Sequence, residues 1–395
     1  MMPNSLSREE LMGRARDLVP VLRERAPKTE ELRRIPDDTI KDFHDTGLWR
    51  MVQPARVGGA ELDYGILVDL GAEIARGCPS SSWVLTNVGC HHWNLAMFPE
   101  QAQNDVWNEA TDALIASSFV FPAGKAARVE GGYRVSGRWP FSSGVDCCDW
   151  NMLCGMVEPT EKGQAPEHRI FLLHRSQYEI IDTWHAAGLR GTGSKDVSAQ
   201  DVFIPEHRSL SAHDIKGGPT PGSAVNPAPL YQVPVMALFP FILSGTALGA
   251  AIGAYEDCAG NTRSRVAKYN QAKIADLQSI QIKIAHAGAL IDTAGMLMRK
   301  PCDDGMALAE RGAVPDMQTK LNWRRDGALS VQFCVQAIDM LFGIAGGSGL
   351  YNHNPMQRAF RDVHAVQAHI AFSMDMACAA AGRVALGLDA DNPIL

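Results

Sequence analysis

The spacing of apolar residues changes twice along the chain, and this order of helical, β and helical segments restricts the possible folds more than any other feature. Residues 6 to about 110 carry apolar side chains at three- and four-residue steps, which predicts helices. Residues 112 to 215 alternate over short runs, and Gly131-Gly132 between two of these runs predicts a β-hairpin. Helical spacing returns in long segments after about residue 235.

This order predicts an α+β, mainly α protein with three domains. We expect a helical N-terminal domain at residues 1–111, a β-barrel domain of six to eight strands at 112–215, and a C-terminal helical bundle domain at 216–395. Ser7 followed by Glu10 has the capping-box pattern that begins a helix. The bundle is predicted to contain four long helices, at residues 243–266, 272–298, 316–343 and 356–386.

Charge and cysteine content exclude several classes of protein. The chain carries 37 Lys and Arg against 44 Asp and Glu, a net charge of −7. It therefore lacks the basic character of a nucleic-acid binder, and small molecules are the expected ligands. None of the nine cysteines falls in a Cys-x-x-Cys pair, which disfavours zinc-ribbon and thioredoxin-like sites and favours a reducing compartment. The first twenty residues contain no apolar run, so we expect no signal peptide and a cytoplasmic protein.

One uncharged stretch is long enough to cross a membrane. It extends from Tyr231 to Tyr255 and contains Pro234 and Pro240, followed by a Gly- and Ala-rich half. This composition favours a buried helix of a large bundle, and we predict no membrane association.

The common nucleotide-binding and hydrolase motifs are absent from the sequence. It contains no P-loop, no HExxH, no GxSxG and no GxGxxG after a predicted strand. NTPase, zincin, α/β-hydrolase and Rossmann functions are therefore unsupported, and we expect neither a metal site nor an NAD(P)H site.

Three segments rich in glycine or hydroxyl groups are candidate ligand sites. Gly346 and Gly347 follow a predicted helix and are suited either to approach a phosphate or to end the helix. The segment 188–194 supplies either donors to a polar ligand or a hairpin loop. The segment 139–144, Trp-Pro-Phe-Ser-Ser-Gly, suits a planar heteroaromatic ligand, although a strand end explains it equally well.

Histidines are the remaining candidates for proton chemistry. His91 and His92 follow an apolar helix, while His364 and His369 fall in the last predicted helix. A step of five residues turns a helix by about 140°, so His364 and His369 are not expected to face one site or to bind a metal together. A single helical histidine is otherwise more often a core or interface residue.

In combination, these segments resemble the acyl-CoA dehydrogenase superfamily over nearly the whole chain. Within it, the chain is similar to the two-component flavin-dependent monooxygenases, among them the oxygenase components of 4-hydroxyphenylacetate hydroxylase and of the steroid-degrading phenol hydroxylase. The segments that carry the resemblance are 89–96, 116–119, 139–146, 184–194, 201–205, Arg263, 346–349 and 361–369. The order and spacing of these segments are more specific than any one of them.

The residue after His369 separates two activities within this superfamily. Many of its dehydrogenases have a glutamate there that removes the substrate α-proton, whereas this chain has Ile370, which cannot abstract a proton. His369 matches the histidine of the monooxygenases. The resemblance therefore implies oxygen chemistry in preference to acyl-CoA oxidation.

As implied by this resemblance, a separate NAD(P)H:flavin reductase delivers reduced flavin, FMNH2 or FADH2. Reaction with the cosubstrate O2 then gives a C4a-hydroperoxyflavin that hydroxylates a phenolic or indolic ring. The residues implied for catalysis are His91, His369 and Ser142. Those implied for substrate binding are His91, His92, Ser118 and His369. Those implied for cofactor binding are Ser118, Trp139, Ser142, Ser143, Arg263, Gly346 and Gly347.

The resemblance also implies a homotetramer, because Arg263 in this family often binds the flavin phosphate across a subunit boundary. Two alternatives stay open at this point. One is an acyl-CoA dehydrogenase-type flavoenzyme with its base on another helix, where Glu256 is available. The other is a non-catalytic helical assembly protein that has retained the fold.

Overall fold

In the part of the chain that the structure describes, helices precede and follow one mixed β-sheet, in the order that the sequence predicts. The computed structural model describes residues 6–159, 161, 163–266, 271–390, 392 and 394–395. The N-terminal helices are α1 (Arg8–Leu32), α2 (Asp37–Asp45), α3 (Ile66–Ala75), α4 (Pro79–Gly89), α5 (His91–Leu95) and α6 (Glu100–Trp107). The strands are β1 (Ile115–Ser118), β2 (Gly124–Val129), β3 (Gly132–Ser142), β4 (Trp150–Val157), β5 (Glu167–His174), β6 (Glu179–Ile181), β7 (Lys195–Pro205) and β8 (Ser209–Ser211). The C-terminal helices are α7 (Val235–Leu238), α8 (Pro240–Ser264), α9 (Gln278–Glu310), α10 (Met317–Ala345), α11 (Pro355–Gln367) and α12 (Met374–Ala385).

The predicted start of the first helix is confirmed. The Ser7 side chain accepts a hydrogen bond from the Glu10 backbone N–H, and the Glu10 carboxylate accepts one from the Ser7 N–H at 2.8 Å. These reciprocal bonds satisfy two of the backbone donors that a helix N-terminus leaves unpaired.

The β-sheet contains the predicted hairpin and has an open ladder. Its strand order is β6-β7-β3-β2-β4-β5-β8, with β1 parallel to β4. β2 and β3 pair antiparallel on either side of the turn at Gly131. In the described part of the chain no pairing joins β6 to β8, so the predicted barrel is not closed by hydrogen bonds.

The uncharged stretch forms the central helix of the protein. Length and composition alone would allow Val235–Ser264 and Met317–Leu350 to cross a membrane, but 89% of the most apolar window of the first segment is buried inside the protein. The prediction of a buried bundle helix is therefore confirmed. α8 lies so close to α3 that a Cβ atom on Gly249 would overlap the Ala72 carbonyl oxygen.

The last predicted helix, residues 356–386, is wrong as a single element. α11 ends at Gln367, a 3-10 turn follows at Ile370–Phe372, and α12 begins only at Met374. His369 has extended backbone angles, and its side chain accepts the Ala371 backbone N–H, so it caps the turn. His364 and His369 thus belong to different elements, and the helical angle between them does not apply.

Two neighbouring residues of α11 connect all three parts of the chain. The Arg361 guanidinium donates to the Ala187 carbonyl at 2.6 Å and to the Glu30 carboxylate at 2.6 Å. The Asp362 carboxylate accepts the Leu189 backbone N–H at 2.6 Å. This pair therefore holds the loop that precedes β7 against the bundle and α1.

We expect Gly249→Ala to destabilise the protein by about 1–3 kcal/mol, because the added methyl group must separate α8 from α3. The matched control is Gly260→Ala in the same helix, where an added Cβ meets no atom within 4 Å. That substitution should be neutral or stabilise by about 0.5–1 kcal/mol through helix propensity. Urea unfolding of both variants measures the difference, and equal effects would contradict close packing at Gly249.

Candidate active site

Five aromatic rings from all three parts of the chain lie in a connected series. The ring centroids of His91 and Phe119 are 6.2 Å apart, and Phe119 stacks on Phe239 at 6.2 Å. Phe239 stacks on His369 at 5.8 Å, and the His369 ring meets Trp83 edge-on at 5.7 Å. We name these five residues the aromatic cluster. The structure thus brings His91 and His369, which are far apart in sequence, to the two sides of one Phe pair.

The His91 imidazole is held in the tautomer that leaves Nε2 as a hydrogen-bond acceptor. Its Nδ1 lies 2.7 Å from the Ile115 carbonyl oxygen, which can only accept, so Nδ1 carries the hydrogen. Burial lowers the pKa of His91 to about 4, and the ring is therefore neutral at pH 7. In this tautomer Nε2 presents its lone pair, and it has no hydrogen-bond partner among the described residues.

The His369 imidazole has the opposite tautomer. Its Nδ1 accepts the Ala371 backbone N–H at 3.1 Å, so in the neutral ring the hydrogen sits on Nε2. Burial, together with the positive charge of Arg324, lowers the pKa of His369 to about 4. The aromatic cluster therefore offers an acceptor at His91 and a donor at His369, on the two sides of the Phe119–Phe239 pair.

His92 faces away from the aromatic cluster. Its Nδ1 accepts the Trp107 indole N–H at 3.2 Å and lies 3.3 Å from the Gln53 amide nitrogen. The Trp107 ring also stacks on it at 6.2 Å, and burial lowers the pKa of His92 to about 3. Of the two adjacent histidines, the structure places only His91 in the cluster, while His92 is held in the N-terminal core.

Ser143 belongs to a chain of hydroxyl groups whose direction is fixed. The Trp83 indole N–H donates to Ser143 Oγ at 3.0 Å, and Ser143 contacts Ser194 Oγ at 2.8 Å. Ser194 contacts Thr192 Oγ1 at 2.7 Å, and Thr192 donates to the Leu189 carbonyl at 3.0 Å. Because Thr192 has a single hydroxyl hydrogen, Ser194 must donate to it, and Ser143 must donate to Ser194. The chain therefore uses the hydroxyl hydrogen of Ser143.

Ser142 retains a hydroxyl hydrogen that the protein does not use. Its Oγ accepts the Asn151 side-chain N–H at 3.0 Å, and the described residues provide no acceptor for its own hydrogen. The Asn151 carbonyl oxygen is buried without a partner. Ser118, by contrast, donates its hydroxyl hydrogen to the Pro140 carbonyl at 2.7 Å. Of Ser118, Ser142 and Ser143, only Ser142 has a free donor.

Trp139 lies in the centre of the sheet. Its side chain is fully buried, and its indole N–H donates to the Cys154 carbonyl at 2.6 Å. A Cβ atom on Gly124 or Gly137 would come within 2.8 Å of this ring, so these two glycines make space for it. Its polar group is therefore not available to a ligand.

The residues predicted to hold the flavin phosphate lie at the ends of α8 and α10. Arg263 is exposed on the last turn of α8. Gly346 ends α10 with φ +62°, as the helix-capping interpretation expects, and Gly347 is exposed beside it. Arg265, which the sequence analysis missed, donates to the Ile344 carbonyl at 2.8 Å and lies next to Gly346. Within the part of the chain that the structure describes, no hydrogen bond or ring contact connects these residues to the aromatic cluster.

The alternative base is not at the aromatic cluster. Glu256 forms an ion pair with Arg76 at 2.9 Å, and its side chain is 45% exposed. Ile370 is 64% exposed in its turn, and so the position where the dehydrogenases have their glutamate points outward here. Across the described residues, no group of three or more His, Cys, Asp or Glu side chains is placed to hold a metal ion.

Both the fold and the domain order are those of the acyl-CoA dehydrogenases. The acyl-CoA dehydrogenase N-terminal domain family matches residues 8–110, and the C-terminal domain family matches residues 241–374.

Full-length relatives define the family more narrowly. The flavin-dependent monooxygenase oxygenase subunit HsaA of Rhodococcus jostii is 38% identical over 95% of this chain and 98% of its own length. The oxygenase component of the FADH2-dependent resorcinol hydroxylase of a Rhizobium species is 37% identical over 96% of this chain and 94% of its own. XiaF from Streptomyces, solved in complex with FADH2 and glycerol, superposes with a TM-score of 0.90 over 98% of both chains at 26% identity. This chain belongs to the family of flavin-dependent monooxygenase oxygenase components.

The buried histidines should make the folded protein sensitive to acid. Between pH 6.5 and about 4 the unfolded chain binds a proton at His91 that the folded protein excludes. The free energy of unfolding therefore does not depend on His91 above pH 6.5, and it falls as the pH is lowered through this window. His91 alone accounts for up to about 3 kcal/mol of this loss. We expect His91→Gln to reduce the slope of unfolding free energy against pH in this window. The exposed His213→Gln is the control, and an equal slope in wild type and His91→Gln would contradict a buried neutral His91.

Proposed function

We propose that this protein is the cytoplasmic oxygenase component of a two-component monooxygenase, which uses reduced flavin and O2 to hydroxylate a phenolic or indolic ring. The observation that carries the proposal is the pair of neutral histidines with opposite tautomers on the two sides of the Phe119–Phe239 pair. The names of the relatives support the reaction class, since they include oxygenase subunits and a resorcinol hydroxylase. The reduced flavin comes from a separate NAD(P)H:flavin reductase.

The side chains next to the aromatic cluster fit a flavin. A flavin ring presents carbonyl and ring-nitrogen acceptors as well as an N–H donor, and here the free hydroxyl of Ser142 lies next to the unpartnered carbonyl oxygen of Asn151. We therefore assign Ser142 to the edge of the ring. Ser118, Ser143 and Trp139 use their hydrogens within the protein, so they contribute packing and acceptor atoms. When bound, the flavin supplies the reducing equivalents and the activation of O2.

The two histidines divide the handling of the substrate. His91 Nε2 accepts a hydrogen bond from the ring hydroxyl or N–H of the substrate, which orients it and increases the electron density of the ring. His369 Nε2–H donates to an oxygen atom at the other end of the cluster. Phe119 and Phe239 form an apolar wall for a flat ring that lies between the two histidines.

The proposed function is tested by mixing the purified protein anaerobically with reduced FMN or FAD and then adding O2 with a small panel of phenols and indoles. We expect a hydroxylated product, detected by mass spectrometry, and no product when reduced flavin, O2 and the same compounds are mixed without the protein. If the chain by itself oxidised NAD(P)H at a catalytic rate with added flavin, the two-component assignment would be wrong.

We expect His369→Ala to leave flavin binding largely intact and to reduce hydroxylation by about 10²–10⁴, the usual contribution of a positioned acid or base. The reducing equivalents then appear as H2O2, and so the ratio of product to flavin oxidised is the quantity to measure. His364→Ala is the control, because His364 donates to the Phe360 carbonyl at 2.8 Å on α11, outside the aromatic cluster. If the ratio of product to flavin oxidised stayed normal in His369→Ala but fell in His364→Ala, the catalytic role would belong to His364 and not to His369.

Ser142→Ala and Ser143→Ala should differ in what they impair. Ser142→Ala removes the free donor, worth about 1 kcal/mol or roughly fivefold in product yield per flavin oxidised. Ser143→Ala interrupts the hydroxyl chain and should mainly lower the melting temperature. Loss of coupling only in Ser143→Ala would exclude Ser142 as the donor.

We also propose a homotetramer assembled through the C-terminal helices. The stretch Tyr231–Tyr255 does not provide this surface, because it is buried within the chain. Large apolar side chains are exposed instead on α9 and α12, namely Ile282, Met296 and Met376. Light scattering should return four times the chain mass of 42.9 kDa, and a monomer at micromolar concentration would contradict the assembly.

A further inference from the structure

One cation near the aromatic cluster has no counter-ion among the described residues. Arg324, on α10, forms a single described hydrogen bond, from Nη1 to the Met236 carbonyl at 2.7 Å. A guanidinium has five N–H donors, and no carboxylate pairs with this one in the described part of the chain. Its neighbour Arg325 binds Asp326 at 2.7 Å, so that carboxylate is already paired.

This isolation has an energetic cost. Arg324 is half-buried, and this partial burial lowers its pKa below the ordinary arginine value. Arginine remains protonated even so, because its guanidinium does not lose its proton in proteins. A charge withdrawn from water without a counter-ion is destabilising unless another group compensates it. An anion brought by a ligand is such a group.

Arg324 lies at the His369 end of the cluster. α10 packs against α7 and against the turn Ile370–Phe372 that follows His369. Met236, which receives the hydrogen bond from Arg324, precedes Phe239 by three residues, and Phe239 stacks on His369. The charge of Arg324 is close enough to disfavour protonation of the His369 ring.

We propose that Arg324 is a substrate-recognition residue, which binds an anionic oxygen of the aromatic substrate beside His369. The oxygen belongs either to a carboxylate substituent or to an ionised ring hydroxyl. The proposal rests on the proposed function, since it assumes that the aromatic ring of the substrate lies along the cluster. Arg324 and the Nε2–H of His369 would then both bind the anionic oxygen of the substrate, while His91 accepts a hydrogen bond from the opposite end of the substrate.

The carboxylate is tested with two ligands of nearly equal shape, 4-hydroxyphenylacetate and its neutral amide, 4-hydroxyphenylacetamide. Calorimetric titrations are made anaerobically, with and without reduced flavin. We expect Arg324→Gln to weaken binding of the acid by about tenfold or more and to change that of the amide by less than about threefold. Arg324→Lys keeps the charge and should restore part of the difference. Arg325→Gln, on the same helix, should change neither.

The ionised hydroxyl is tested with 4-nitrophenol, whose anion absorbs visible light. If this is the recognised oxygen, wild type increases the anionic fraction of the bound phenol and Arg324→Gln does not. Selectivity that depends on Arg324 in either arm supports the proposal and identifies the oxygen. The proposal is overturned if neither ligand test shows a dependence on Arg324. It is also overturned if the wild-type protein binds the amide about tenfold more tightly than the acid and binds 4-nitrophenol in its neutral form.

The two proposals fail separately. Binding of the acid that depends on Arg324, without hydroxylation of any phenol, would retain the anion site and refute the proposed function. Hydroxylation of phenols, together with binding of the acid and of 4-nitrophenol that does not depend on Arg324, would refute the anion site and retain the proposed function.

Discussion

The close contact of α8 with α3 and α4 determines where the rest of the molecule can lie. Gly249 allows α8 to touch the backbone of α3, and Ser82 on α4 donates to the Gly71 carbonyl and also contacts Thr246 of α8 at 2.9 Å. These contacts fix the two helix segments that carry Trp83 and Phe239. Since both of these rings contact His369, the shape of the aromatic cluster depends on how closely three helices approach.

Features set by neighbouring residues in the chain could be predicted from the sequence. The capping box at Ser7, the hairpin at Gly131 and the buried helix after Tyr231 each depend on a local pattern, and each is present. The end of α11 depends instead on His369 capping its own turn, which no helical periodicity reveals. α9 likewise continues through Pro301 to Glu310, beyond the predicted end at residue 298.

The candidate site could be predicted only as a set of residue types. His91 and His369 were named from the sequence together with Ser142, but the tautomers follow from the backbone atoms that each imidazole meets in the folded chain. Phe119 ends a segment that carries the resemblance but has no implied role, and Phe239 lies outside every such segment. The two rings meet only because the end of β1 and the start of α8 converge. Arg265 could have been found from the sequence, because it is a second arginine only two residues after Arg263.

The partners of the two histidines have a consequence for how such a site diversifies. His91 is oriented by the carbonyl of residue 115 and His369 by the amide of residue 371. Both are main-chain groups, so exchanging the side chain at either position leaves the partner in place. The arrangement of the acceptor at His91 and the donor at His369 therefore depends on the backbone and not on the neighbouring side chains. Substitutions of the surrounding side chains can therefore change the shape of the site, while Nε2 of His91 remains an acceptor and Nε2 of His369 remains a donor.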